Sequence, residues 1–332
     1  MNQFKKIYHK VTGMKTGLAL LALIGLVSML GSLIMPEVFY HSPLFKILLA
    51  LITLNLFFCT INRIIRLKNL FKNKLNFLER VRQIGTLLLH IGIILIVVGG
   101  GVYLHYGQSV LSKLSEGETT DVSKLIKVNK PFSIQLEQFR IEYNNDGSAS
   151  QFDSKVRIVE GDKKQENIWI SVNHPFVYEK VKVYQESFGN KISYKINGLS
   201  KTDIQGFLNE GDSLSIPETD KTVKLYRYVP NFDENYGMES KTLRPDNPRV
   251  MFSVYKKDKL LGIGVAKLGE SINLNNGINI VFTGVETYTV LKIKSDPALP
   301  VTAAGGILLM LGSFMALPFN RRPRVVADQS QF

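Results

Sequence analysis

Residues 83–103, QIGTLLLHIGIILIVVGGGVY, decide how the rest of the chain is read. The run is long enough to cross a bilayer, which takes roughly 20 predominantly apolar residues. One ionisable side chain, His90, stands near its start. A titratable group at membrane depth is costly and faces protein, water or a cofactor rather than lipid, which makes it a functional candidate. Gly85, Gly92 and Gly99 recur at heptad spacing and fall on one helical stripe at about 100° per residue. His90 lies roughly 180° from Gly99 on the same count. One face can therefore approach a neighbouring helix closely through its glycines, while the other presents an imidazole. From this helix alone two readings stand: a ligand or proton relay, and a histidine hydrogen-bonded to a neighbouring helix.

Three further apolar runs, at about 17–35, 44–61 and 299–317, approach the length of a membrane span, alongside the one at about 84–103. The first is read as a span rather than a cleaved signal peptide. It is longer than an ordinary signal core, and Met35-Pro36-Glu37 is not a small-x-small cleavage site. The net charge of +13 would suggest nucleic acid if it lay on one folded surface. Instead, fourteen basic residues sit beside the apolar runs: Lys5, Lys6, Lys10 and Lys15 before the first, seven from Arg63 to Arg82 between the second and third, and Arg321, Arg322 and Arg324 after the last. Residues 104–296 hold 26 basic and 25 acidic residues. This is the positive-inside pattern; it places both termini in the cytoplasm and residues 104–296 outside. No nucleic-acid partner is expected.

The alternating basic and apolar residues of 62–82 are expected to form an amphipathic helix lying on the inner leaflet. From about His105 the character changes to period-two alternation. Examples are Phe132, Ile134 and Leu136; Val156 and Ile158; Ile168, Ile170 and Val172; Val223 and Leu225; Val250, Phe252 and Val254; and Ile278, Ile280 and Phe282. Turn signals at Asn144-Asn145-Asp146-Gly147, Glu160-Gly161-Asp162 and Asn275-Asn276-Gly277 separate them. Many short strands so spaced favour a β-sandwich or a related barrel. The expected architecture is thus a membrane α-helical protein with four transmembrane helices plus an all-β, sandwich-like extracytoplasmic domain. Its parts are residues 1–103 with three spans, 104–296 as the β domain, and 297–332 with the fourth span and a cytoplasmic tail.

Chemistry-bearing motifs are few. No phosphate-binding glycine loop, nucleophile elbow or paired zinc histidines occur. Cys59, in the second run, is the only cysteine, so a dithiol mechanism within this chain is excluded. There is no C-x-x-C-H haem-attachment motif either. Cys59 reads as a packing residue. His9, His105 and His174 read as solvated, interfacial and turn residues. His41, in the outer loop, is a second ligand candidate after His90. A b-type electron carrier would usually supply paired axial histidines from its own helices, and only His90 lies deep in a run.

At these residues the sequence resembles the ResB-like (CcsB) membrane proteins of System II cytochrome c biogenesis. MKTGLALL opens the first span; FYHSPLFKILLALITLNLFFCTINR resembles the family's tyrosine-histidine-serine loop and second span. QIGTLLLHIGIILIVVGG resembles its third span, VNHPFVYEKVKVYQESFG its outer-domain motif (Asn173, Pro175, Tyr178, Tyr184, Gln185), and LKIKSDPALPVTAAGGILLMLGSFMALPF its last. The outer domain is shorter than in many members, and Ala298 stands where a glycine often follows Asp-Pro.

The resemblance implies a chain that works with a polytopic CcsA- or ResC-like partner, moving haem outward and presenting it to apocytochrome c for covalent attachment. It implies that His90 is an axial ligand of membrane haem b, so that its metal is the haem iron, with a second histidine and a tryptophan-rich platform from the partner. Trp169 is the single tryptophan here, so the platform is not in this chain. The scheme leaves room for thiol-reducing proteins alongside. No residue of this chain is assigned as catalytic, and activity is expected of the holocytochrome c synthase complex rather than of the chain alone. Its setting would be an inner, plasma or thylakoid-type membrane. Cytoplasmic entry suits His90, only about 10 Å of helix rise from the inner end of its run. The competing reading is a membrane-anchored scaffold whose β domain binds an extracytoplasmic protein and whose His90 is structural.

Overall fold

The computed structural model describes residues 13–34, 39–40, 42–70, 77–161, 163–200, 202–275 and 277–317. The chain divides into two compact units, one of helices and one, residues 108–295, of strands.

Among the described residues four helices are long and apolar enough to cross a membrane: α1 (Met14–Ile34), α2 (Pro43–Leu70), α3 (Phe77–Tyr106) and α4 (Leu299–Ala316). Leucines along α1 and α2 stay exposed, among them Leu18, Leu21, Leu26, Leu51 and Leu54, as a lipid-facing surface would. Of the stretch 62–82 expected to form an amphipathic helix, residues 71–76 lie outside the described residues. Residues 62–70 continue α2 and residues 77–82 begin α3. α3 makes its main contact with α4, α2 packs on α3, and α1 on α2.

In the β unit the alternating segments form strands as their period dictates, but around two cores rather than one. The backbone of the unit is a ribbon of two long antiparallel strands, β7 (Val181–Asn197) and β14 (Ile278–Ser295), paired from Val181↔Ser295 to Asn197↔Asn279. At one end, β1 (Gln108–Leu114) joins β14 and β6 (Phe176–Tyr178) joins β7. A second sheet packs on that end in the order β2 (Thr119–Asp121), β3 (Ser133–Tyr143), β4 (Ala149–Glu160), β5 (Lys163–Ser171). Ile134, Leu136, Val156, Ile158, Ile170, Val183, Leu291 and Ile293 fill the space between them and are fully buried, each worth about 1.5–3 kcal/mol of burial.

At the other end β8 (Ile204–Asn209) and β13 (Ser271–Asn275) extend the ribbon. It is covered by a sheet in the order β12 (Lys259–Lys267), β11 (Arg249–Lys256), β10 (Lys221–Val229), β9 (Ser213–Ser215). Ile192, Ile196, Val223, Leu225, Val250, Ile280 and Phe282 form this second core. Bulges at Phe282/Gly284 and Val290/Leu291 bracket the waist where the ribbon passes from one core to the other, and bulges bend and twist a strand in that way.

The glycines of all three expected turns have the required backbone: Gly147 at φ 85°, Gly161 at φ 54° and Gly277 at φ 81°, the left-handed region that glycine enters without steric cost.

Candidate functional site: the His90 face of the third helix

The glycine stripe of α3 meets a glycine stripe on α4. A Cβ added to Gly92 would stand 2.7 Å from both the Gly305 carbonyl oxygen and the Leu309 amide. One on Gly85 would stand 2.6 Å from the Met315 Cβ, and one on Gly99 would strike Thr302. In return, a Cβ added to Gly305 would stand 2.8 Å from the Gly92 carbonyl oxygen, and one on Gly312 2.6 Å from the Leu89 amide. Backbone touches backbone, which only glycine permits, and close van der Waals packing is what holds helices together where lipid removes the hydrophobic drive. This seam fixes the rotation of α3. Its consequence is that His90, about half a turn around the helix from Gly92 and Gly99, lies off the α4 interface.

The imidazole of His90 is half-buried. Its Nδ1 lies 2.8 Å from the carbonyl oxygen of Thr86, one turn earlier on α3. A carbonyl only accepts, so Nδ1 carries the proton and donates. In the neutral ring Nε2 then keeps its lone pair, and the same hydrogen bond fixes the ring's orientation. Thr86 in turn donates from Oγ1 to the Arg82 carbonyl at 2.9 Å. Among the described residues no group of three or more histidines, cysteines or acids is placed to hold a metal ion. The arrangement can thus do one thing well: offer a single, oriented nitrogen lone pair at membrane depth.

The other sequence candidates fare differently. His41 lies outside the described residues, as does His9. His105 is exposed and stands edge-on to Tyr106 at 4.6 Å. His174 is in the turn joining β5 and β6, its Nδ1 3.2 Å from the Val172 carbonyl, beside Asn173 at φ 66°. Cys59 lies 4.0 Å from the Asn55 Oδ1 on the preceding turn of α2. Asn55 is almost wholly buried, its Oδ1 2.6 Å from where a Cβ on Gly17 of α1 would stand, so it packs α2 on α1.

Sequence reasoning missed a polar node near the waist of the β unit. Gln185 Oε1 accepts from Ser154 Oγ at 2.6 Å and from Thr289 Oγ1 at 3.0 Å, while its Nε2 donates to the Ser187 carbonyl at 2.9 Å. Ser154 and Thr289 are fully buried, and the node ties β4, β7 and β14 together. Next to it Asp153, also buried, accepts from Ser171 Oγ and from Arg140 Nε at 3.0 Å, and Arg140 lies over the Trp169 ring at 4.5 Å. The available signal was the Tyr-Gln pair of the VNHPFVYEKVKVYQESFG stretch, whose polar residue interrupts an apolar alternation.

Residues 78–274 match the ResB-like family. The cytochrome c biogenesis protein CcsB of Picosynechococcus sp. is 27% identical over 249 residues, covering 71% of this chain and 50% of that protein. The CcsB protein of Gloeobacter violaceus is 26% identical over 257 residues, 71% of this chain and 51% of the relative. The cytochrome c biogenesis protein Ccs1 of Porphyra purpurea is 27% identical over 231 residues, 66% and 49% respectively. The chain spans about half the length of the curated relatives it matches. A solved structure of the cytochrome c haem lyase CcmF aligns over 92% of this chain and 35% of its own, at 12% identity and a TM-score of 0.33, too loose a match to define a shared fold. The family match runs from the first turns of α3 through its histidine and across most of the β unit, more than half of the chain, and by that match the protein belongs to the ResB-like family.

Proposed function

We propose that this chain is a membrane subunit of the apparatus for cytochrome c biogenesis, in which His90 ligates haem iron. The observation that carries the reading is the His90–Thr86 hydrogen bond, which leaves Nε2 free to coordinate. A lone protein nitrogen makes a poor site for a bare metal ion, which needs several ligands. Haem brings four of its own and needs only one or two from protein. A second axial ligand would come from a partner, a CcsA- or ResC-like membrane protein. The names of the relatives support the pathway; apocytochrome c is then the acceptor to which the complex presents haem. The distribution of basic residues supports cytoplasmic termini and an extracytoplasmic β unit.

Replacing His90 by glycine removes the nitrogen and leaves a cavity about the size of the ring. The complex purified with its partner is expected to lose its low-spin haem spectrum, and cells to lose c-type cytochrome maturation, with both recovering in part when imidazole is added. A His90→Gly complex that assembles with an unchanged haem spectrum and unchanged maturation overturns the ligand role and favours the scaffold reading.

A further inference from the structure

The sheet over the second core ends on β12, KLLGIGVAK. Among the described residues β12 pairs with β11 alone, so its other edge is open. The strand is anchored from within: Ala266 is buried, and Gly264 lies so close on the Phe252 ring that a Cβ would come within 2.6 Å of it. Its outward side chains are apolar. Leu260, Leu261, Ile263 and Val265 are 46, 49, 62 and 40% exposed.

An open edge presents alternate N–H and C=O groups to any extended chain, and proteins guard such edges with charges, proline or bulges. Between Leu260 and Ala266 there is no charge and no proline, and the one bulge, at Leu261, adjoins the turn. From Gly262 onward the strand is regular in register and unguarded.

The charges around it say what fits. Lys256 is paired with Asp220 at 2.9 Å. Among the described residues Lys257 and Lys259 at the turn end, and Lys267 at the far end, form no ion pair. Asp258 lies between Lys257 and Lys259 in the turn, which leaves that end with a net positive charge, and Glu270, near the far end, is engaged with the Lys267 backbone amide at 2.8 Å. A second copy is a poor occupant. KLLGIGVAK is nearly palindromic about Ile263, so antiparallel self-pairing would set Lys259 directly against Lys267 twice, and like charges opposite one another destabilise a sheet.

We propose that β12 is a strand-addition site for another protein, taking an extended apolar segment with acidic residues at its ends. Main-chain hydrogen bonds to the open edge supply affinity, and the lysines at both ends supply register and selectivity. The site is independent of His90 and of what that residue binds.

The test uses the full chain in detergent and two labelled peptides of alternating valine and threonine, as long as β12, with aspartate or lysine at both ends. The aspartate-ended peptide is expected to slow hydrogen exchange across residues 260–266 and to bind about tenfold tighter than the lysine-ended one. The double variant Lys259→Glu, Lys267→Glu is expected to reverse that preference, and Ile263→Asp to weaken both peptides. Equal binding of the two peptides, or no protection by either, overturns the proposal. So does dimer formation through a disulfide at Ile263→Cys in a Cys59→Ser background without peptide, which assigns the edge to a second copy. Protection of β12 on transfer to anionic lipid nanodiscs without peptide overturns it in favour of a lipid surface.

Discussion

At the scale of single residues, the same amino acid does opposite things according to what its face meets. Gly92 touches the α4 backbone, whereas Gly100 and Gly101, on the same helix, have open space where a side chain would go. Gly92→Leu is expected to force α3 from α4 and cost about 1–3 kcal/mol or more, seen as a lowered thermal midpoint in detergent. Gly100→Ala is expected to be neutral or slightly stabilising, because alanine is the better helix former. Equal effects of the two would mean that the seam is not a tight contact. Gln185 is the corresponding residue of the β unit. Gln185→Leu removes the acceptor that the buried Ser154 and Thr289 hydroxyls share; Ser154 can still donate to Thr289 Oγ1 at 3.0 Å, so the Thr289 hydroxyl is left without an acceptor, at about 1–3 kcal/mol. Faster hydrogen exchange along β7 and β14 on both sides of position 185 is the expected readout.

At the scale of elements, α3 and the β7–β14 ribbon each serve two neighbours at once. α3 gives its glycines to α4 and keeps the imidazole face clear of that helix. The ribbon gives Val183, Leu291 and Ile293 to one core and Ile192, Ile280 and Phe282 to the other. Its waist is narrow, with Gly189 opposite Tyr288 because a side chain at 189 would strike the phenol. A Gly189→Val substitution is expected to displace Tyr288 and disturb both lobes through the shared ribbon. Hydrogen exchange should then report faster opening of β3 as well as of β10, and a loss confined to one lobe would show that the two fold independently of the waist.

At the scale of the whole molecule, the basic residues beside the apolar helices imply opposite sides for residues 62–82 and for the β unit. Reporter fusions after Arg82 and after Ser200 are expected to be active in opposite compartments, and a shared compartment would overturn the four-span topology. Residues 108–295 form one compact unit with two complete cores. Expressed alone they are expected to give a strand-dominated circular dichroism spectrum; a mainly helical spectrum would contradict the sheets.

The sequence by itself determined the four apolar helices, because a run near twenty residues without charge has no other stable place, and the strands whose one face is buried, because burial on one side writes a period of two. It also singled out His90 and the opposed glycines, which need only the angular repeat of a helix. β7 escaped because it crosses between two cores: its alternation runs through Val181 and Val183, breaks over Gln185–Asn190 at the waist, and resumes at Ile192. Period counting reads such a break as a loop. The division into two cores, the Gln185 node and the open edge of β12 were decided only by tertiary structure, since each depends on which strands become neighbours across long separations in the chain. The His90–Thr86 hydrogen bond stands between these cases. Its partners are one helical turn apart and so local, but the choice of rotamer, and with it the ring nitrogen left free, is fixed by three-dimensional structure.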